Sequence, residues 1–200
     1  MHTERPRGRP RSFDREQALE RAMHVFWRQG YEATSVSDLT RAMHINPPSL
    51  YAAFGDKEQL YLEALARYQQ QRVESMAKWF DEEPTAKAAV RRLLTEAARE
   101  LARAGAPRGS MLVLSAMQCS SDALQAKVAV RRASVRALLK ARIDRGRHEG
   151  ELARGTDTDA LVDFYSAVFQ GMSVQANGGA GREPLLAIAE IAMRAWPDKK

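Results

Sequence analysis

The sequence predicts an all-α fold of about nine helices, in which three short N-terminal helices precede a larger helical unit. Apolar residues recur with helical spacing almost everywhere after residue 13, and residues that cap helices stand just before these stretches. No stretch of useful length alternates between apolar and polar residues as a half-buried strand would. With 200 residues, 44% of them hydrophobic, the chain can bury a core of its own.

The first four helices are bounded by capping residues and by glycine or proline. An Asp or Ser that is followed three residues later by a polar residue has the spacing of a capping box. Such pairs predict helices that begin near residues 14, 35 and 56, and Asn46 before Pro47 predicts another. Gly30, Gly55 and Pro84 end three of these helices. The pairs are Asp14 with Gln17, Ser35 with Asp38, and Asp56 with Gln59.

The rest of the chain is predicted to form five further helices. They span about residues 85–104, 108–118, 122–148, 157–176 and 182–196, and segments rich in glycine, proline or serine separate them. Thr156 and Asp159 have capping-box spacing at the start of the fourth of these. We expect a basic arm at 1–12, a three-helix unit at 13–55 and a helical regulatory and dimerisation unit at 56–200.

Basic residues are concentrated in a local arm. The net charge of +6 permits a polyanionic partner, but residues 1–60 are nearly neutral. Arg7, Arg9 and Arg11 lie in a short run without an acidic residue, and Pro6 to Pro10 resembles the core of an AT-hook, a peptide that binds the minor groove of A·T-rich DNA. The alternative is a disordered, charged tail that adds only non-specific affinity.

Several classes of protein do not fit this composition. A single cysteine, Cys119, excludes an internal disulfide, and no apolar run reaches the roughly 18 residues of a membrane span. The first residues are not a secretory signal, so we expect a cytoplasmic protein. The histidines lack metal-ligand spacing, and no phosphate-binding or catalytic motif occurs. We therefore expect neither an enzyme nor a metal nor a cofactor.

The segment from Thr34 to Leu60 has the plan of a helix-turn-helix. Apolar residues in it can hold three short helices together, which leaves the N-terminal end of the third helix facing outwards. The segment also resembles the DNA-binding domain of the TetR (tetracycline-repressor) family of transcription regulators. That family has the pattern Leu-Tyr-x-x-Phe-x-x-Lys-Glu-x-Leu, which is present here from Leu50 to Leu60, and the resemblance covers residues 13–65.

The resemblance implies a DNA-binding role for particular residues. Contacts with phosphates would fix the position of the protein, and contacts with base edges would give sequence preference. This chain has Thr40 and His44 where the family usually has alanine and glycine. Histidine tolerates a left-handed turn better than most residues, and His44 could alternatively point towards DNA. The residues implied to contact phosphates are Thr34, Ser35, Tyr51 and Lys57, and those implied to face the major groove are Asn46, Pro47 and Ser49.

The last two predicted helices are apolar enough to pair two subunits. A single short recognition helix contacts few bases, so two symmetric copies on a near-palindromic operator are expected. A final helix that is apolar nearly all round must be buried on more than one side, which predicts a four-helix interface, as in the family. Ordinary packing inside one subunit is the alternative. The predicted interface residues are Leu161, Tyr165, Val168, Leu185, Ile188, Ile191, Ala192 and Trp196.

Methionine and aromatic residues of the second unit suggest a cavity for a small molecule. They suit a plain core equally well, but the resemblance implies an effector whose binding releases DNA. Cys119 could be a redox sensor, although a lone buried cysteine is usually inert. The candidate cavity residues are Met76, Trp79, Phe80, Met111, Leu114, Met117, Phe164, Phe169 and Met172.

Three functions remain open on the sequence. The first is a sequence-specific repressor that is released from its operator by a small-molecule effector. The second is a DNA-binding activator or architectural protein whose C-terminal unit only dimerises. The third is a helical enzyme or carrier that merely resembles a regulator.

Overall fold

The computed structural model describes residues 13–118 and 121–197, and this part of the chain folds into nine α-helices. Their number and order confirm the predicted fold. The helices are α1 (Arg15–Ala33), α2 (Val36–Met43), α3 (Pro47–Phe54), α4 (Lys57–Glu82), α5 (Ala86–Leu101), α6 (Met111–Gln118), α7 (Asp122–His148), α8 (Thr158–Asn177) and α9 (Arg182–Met193).

The predicted N-caps of the first four helices are all present. The side chains of Asp14, Ser35, Asn46 and Asp56 each accept a hydrogen bond from a backbone N–H of the following turn. α1 is kinked at Gly30, where φ is 79° and ψ is 171°, so the predicted helix end is followed by one more short turn. Local signals within a few residues therefore defined these helix ends.

One predicted cap is wrong. The N-cap of α8 is Asp157, whose carboxylate accepts hydrogen bonds from the N–H groups of Asp159 and Ala160. The Thr156 hydroxyl instead donates to the carbonyl of Ala153 in the preceding turn, at 2.8 Å. The carboxylate of Asp157 lies one residue after Thr156 and can accept from the first N–H groups of the helix. Asp is at least as good an N-cap as Thr.

The buried apolar residues form two clusters that divide along α4. The N-terminal cluster joins α1, α2, α3 and the first half of α4 to α6 and to the start of α7. The second cluster joins the end of α4 to α5, α8, α9 and the later part of α7. The boundary predicted at residue 55 stays a prediction, and the packing across it is continuous because α4 and α7 contribute to both clusters. None of the described helices is long and apolar enough to cross a membrane.

Candidate DNA-binding surface and effector cavity

The N-terminal end of α3 is presented to solvent by a tightly packed three-helix unit. Leu39 of α2 and Leu50 of α3 are completely buried, and Phe54 is nearly so. These contacts fix how α3 is rotated, because its apolar side faces the core. The opposite side exposes Asn46, Pro47 and Tyr51, while Ser49 is half-buried.

The turn between α2 and α3 adopts the left-handed conformation that was expected for it. His44 has φ 57° and ψ 43°, and its N–H donates to carbonyls at the end of α2. The left-handed turn therefore forms with histidine at the position where the resemblance implies glycine. The imidazole is exposed beside the N-terminus of α3, so the alternative that it faces DNA stays open. Thr40 is buried, and its hydroxyl donates to the carbonyl of Ser37 at 3.2 Å.

The caps of α2 and α3 hold their side chains in defined positions. The Asn46 amide oxygen accepts a hydrogen bond from the Ser49 N–H at 2.8 Å. The Ser35 hydroxyl donates to the Asp38 carboxylate at 2.6 Å and accepts from the Asp38 N–H at 3.1 Å. The hydroxyl and the N–H of Ser35 hold the pKa of Asp38 below its ordinary value. The hydroxyl and the N–H of Ser35 are therefore both engaged in the cap, and the contact of Ser35 with a phosphate stays a prediction.

Two of the residues expected at phosphates differ sharply in accessibility. Thr34 is only 1% exposed, and its hydroxyl donates to the Gly30 carbonyl at 2.6 Å. A phosphate contact by the Thr34 side chain is therefore contradicted, because this side chain closes the kinked end of α1. Lys57 is half-buried at the start of α4, with its Nζ atom 4.4 Å from the centre of the Tyr31 ring. That contact fixes the ammonium group beside the helix-turn-helix. The predicted contacts of Arg7, Arg9 and Arg11 and the role of Cys119 lie outside the described residues.

A cavity of about 300 Å³ lies beside the N-terminal cluster. Helices α1, α4, α5, α6, α7 and α8 form its wall, together with the segment that leads into α6. Three of the nine candidate residues, Met76, Trp79 and Phe169, line it. The other six do not line this cavity. Phe80, Met111, Leu114 and Met172 are buried in the two core clusters, and Met117 and Phe164 are 65% and 41% exposed.

Most of the cavity wall was missed by reasoning from the sequence. The missing residues include Trp27, which belongs to α1, and charged residues on α4, α5 and α7. One signal was present: Arg72 interrupts the apolar face of α4 between Tyr68 and Met76, and a charged residue within such a stripe can mark a cavity. The charged lining residues are Arg72, Glu96, Glu100, Arg132 and Arg136.

Hydrogen bonds link the cavity wall to the N-terminal unit. The Trp27 indole N–H donates to the buried carbonyl of Gly109 at 3.0 Å. The adjacent Ser110 N–H donates to the Ser173 hydroxyl of α8 at 2.8 Å, and the Tyr68 hydroxyl donates to the Ser110 hydroxyl at 3.2 Å. Burial raises the pKa of the Tyr68 hydroxyl, so it stays a neutral donor. Trp27, Tyr68, Gly109 and Ser110 all line the cavity.

Five of the eight predicted interface residues are buried within the subunit instead. They belong to the apolar cluster that also contains residues of α5, so the predicted alternative of packing inside one subunit is right for them. Val168 and Ile188 are half-buried, and Ile191 is 63% exposed; Phe164 and Val174 of α8 are also exposed. The five buried residues are Leu161, Tyr165, Leu185, Ala192 and Trp196.

Comparisons with known proteins agree with this arrangement. The family model described as bacterial regulatory proteins, tetR family, matches residues 18–64. The HTH-type transcriptional repressor ComR of Escherichia coli K12 is 34% identical, over 96% of this chain and 93% of ComR. The HTH-type repressor BdcR of the same organism is 32% identical, over 94% of this chain and 91% of BdcR. A cysteine mutant of the regulator CifR, solved with a 26-base-pair operator, is 46% identical with a TM-score of 0.91, over 95% of this chain and 100% of that chain.

Proposed function

Because the chain belongs to the TetR family of bacterial transcription regulators, we propose that it is a dimeric repressor that a small molecule releases from its operator. It is a DNA-binding regulator and not an enzyme, so the third function considered above is excluded. The observation that carries the proposal is the exposed N-terminal end of α3, which is held at a fixed rotation by the buried Leu50 and Phe54. A regulator of this kind acts in the cytoplasm, where bacterial DNA lies.

The contacts proposed with DNA follow from what α3 exposes. Asn46 and Pro47 stand at the end that enters the major groove, with Ser49 beside them, and the amide of Asn46 can offer its N–H₂ group to a base edge while its oxygen caps the helix. Tyr51, which is 51% exposed, can donate its hydroxyl to a phosphate. Lys57 adds a positive charge at the start of α4.

The basic arm is proposed to extend each half-site into the neighbouring minor groove. Arg7 and Arg9 would enter a narrow A·T-rich groove, where negative potential is concentrated. Deleting residues 1–11 is expected to weaken DNA binding and to flatten its dependence on salt concentration by several units of slope. An unchanged slope would mean that the arm does not contact DNA.

The proposed dimer brings the exposed faces of α8 and α9 together across a two-fold axis. Phe164, Val174 and Ile191 are large apolar side chains left exposed by the subunit core, and burying such a face favours association. A two-fold axis there would present two α3 helices to successive turns of the major groove, and the operator would then be nearly palindromic.

Release by an effector is supported by the position of the cavity. Its wall includes Trp27 of α1, which belongs to the same apolar cluster as α2 and α3. A ligand that changes the contact between Trp27 and Gly109 would move α1 and α4, and hence the spacing of the two recognition helices. The ligand can shift this equilibrium only by the difference between its affinities for the two states.

The proposal is tested by measuring binding to labelled DNA from upstream of the protein's own gene by fluorescence anisotropy. Wild-type protein is expected to bind it more tightly than a scrambled duplex, and Asn46→Ala is expected to lose that preference. Arg147→Ala is the control, because this exposed arginine lies at the far end of α7. Equal binding to both duplexes would contradict operator recognition. A reporter whose transcription falls when the gene is deleted would identify an activator instead.

A further inference from the structure

The wall of the cavity contains many apolar residues and a few charged groups, which differ in whether they are already paired. Trp27, Trp79, Leu139 and Phe169 are among the apolar residues that line the cavity. A volume of about 300 Å³ is at the lower end of the range for small-molecule sites. The charged groups in the wall determine the charge that the polar end of a ligand can carry, since a buried charge without a partner is strongly disfavoured.

The two acidic groups of the wall are already paired with arginines. Glu96 accepts a hydrogen bond from Arg99, which is one turn along α5. Glu100 lies 3.5 Å from the guanidinium of Arg72 and 3.6 Å from that of Arg103. A cationic ligand would therefore have to compete with arginine for either carboxylate.

The basic groups of the wall retain unused donors. Arg136 is paired with Asp163 at 2.9 Å and 2.6 Å. Arg132 is half-buried, and its side chain forms no hydrogen bond or ion pair within the described residues. Arg72 reaches Glu100 only at 3.5 Å, and its Nε atom is buried without any hydrogen-bond partner. Among the charged side chains of the wall in the described part of the chain, that of Arg132 is therefore the one without a partner of opposite charge.

We propose that the effector is a small amphipathic acid, whose carboxylate binds Arg132 and whose aromatic or aliphatic body fills the apolar part of the cavity. A guanidinium binds a carboxylate through two parallel hydrogen bonds. A neutral amide of the same shape would leave the Arg132 charge uncompensated. The inference rests on the proposed function, because it takes this cavity to be the effector site.

The test compares three probes that share one body: phenylbutyrate, phenylbutyramide and phenylbutylamine. Binding to the full-length protein is measured by titration calorimetry and by the fluorescence of the tryptophans, two of which line the cavity. We expect the acid to bind about tenfold or more tightly than the amide, since a charge-assisted pair is roughly twice as strong as a neutral hydrogen bond. The amine is expected to bind most weakly.

Two variants of Arg132 test whether this residue causes the preference for the acid. Arg132→Gln is expected to reduce the preference for the acid to within about twofold, and Arg132→Lys to retain part of it. Arg147→Gln makes the same change at an exposed arginine of the same helix that does not line the cavity, and it should keep the full preference. Circular dichroism melts confirm that each variant is folded.

Several results would overturn the inference: no binding of any probe at millimolar concentration, equal binding of acid and amide, or a preference that survives in Arg132→Gln. Binding of wild-type protein to its upstream DNA without any probe is measured in parallel. Normal DNA binding without an acid preference would refute only the effector class. If the wild-type protein does not bind its upstream DNA, the proposed function is refuted. The preference of the cavity for the acid is still measured by the calorimetric titrations.

Discussion

Replacing Ile191 by glutamate is expected to separate the proposed dimer into folded monomers. Ile191 lies on the outer face of α9 and is 63% exposed in the subunit, so the substitution removes little from the core. Glutamate is also as favourable in a helix as isoleucine or better. The free energy of unfolding of the monomer should therefore change by no more than about 0.5 kcal/mol.

The size of the effect follows from the exposed fraction of Ile191. Full burial of an isoleucine side chain contributes about 1.5–3 kcal/mol, so covering the 63% that is exposed would contribute about 1–2 kcal/mol. Two-fold symmetry doubles this to about 2–4 kcal/mol per dimer. Each 1.4 kcal/mol is a factor of ten, so the dimer Kd should rise about 30-fold to about 1000-fold. Two glutamates facing each other would weaken pairing further.

Sedimentation equilibrium over a range of protein concentrations measures the dimer Kd directly. Val130→Glu is the matched control, because Val130 is 72% exposed on α7, which is not one of the two helices of the proposed interface. It should leave the Kd unchanged. If Ile191→Glu dimerises as tightly as wild type, or if Val130→Glu separates the subunits instead, the assignment of the interface to α8 and α9 is wrong.

Three further substitutions test the site. Trp27→Phe removes the donor to the Gly109 carbonyl and should lower the free energy of unfolding by about 1–3 kcal/mol, measured in urea melts. The same variant should show weaker ligand-induced release of DNA in anisotropy titrations. Tyr51→Phe should lower affinity for operator and scrambled duplexes alike, because it removes a phosphate contact, with an unchanged melting temperature. Ser35 lowers the pKa of Asp38 in the folded protein. The stability that the ionised cap contributes is therefore fully present above the ordinary carboxyl pKa of 3.8 and is lost as pH falls through the lowered pKa. Asp38→Asn should remove this part of the pH dependence of thermal melts.

The helix ends and the helix-turn-helix could be predicted because their causes are local. Asn46 caps α3 through an N–H three residues away, and the left-handed turn at His44 needs only its neighbours. The exception was Thr156, where Asp157 competed for the same N–H groups. Thr34 shows a different limit: its position at the start of α2 was clear from sequence, but its burial depended on the kink at Gly30.

The cavity could not be derived from periodicity, because its wall collects residues from helices that are far apart in the chain. Trp27 and Gly109 are 82 residues apart and are joined by one hydrogen bond. In the sequence, nothing distinguishes Arg132 from the other charged residues of a long helix. Its place in the cavity wall depends on the packing of α4, α5 and α8 against α7. Apolar residues were expected to mark the cavity, yet Phe80 and Met172 belong to the packed core.

What the sequence alone determined is the number and order of the helices, the caps of the first four, and the helix-turn-helix plan of one segment, since these depend on caps, turns and a short motif. The tertiary structure alone decided which side of each apolar helix faces the core. Phe164 was expected in the cavity and Tyr165 on the outer face, but Phe164 is 41% exposed and Tyr165 is fully buried in the cavity wall. A helix that is apolar on several sides carries no local signal for its rotation, which is set by the helices packed against it.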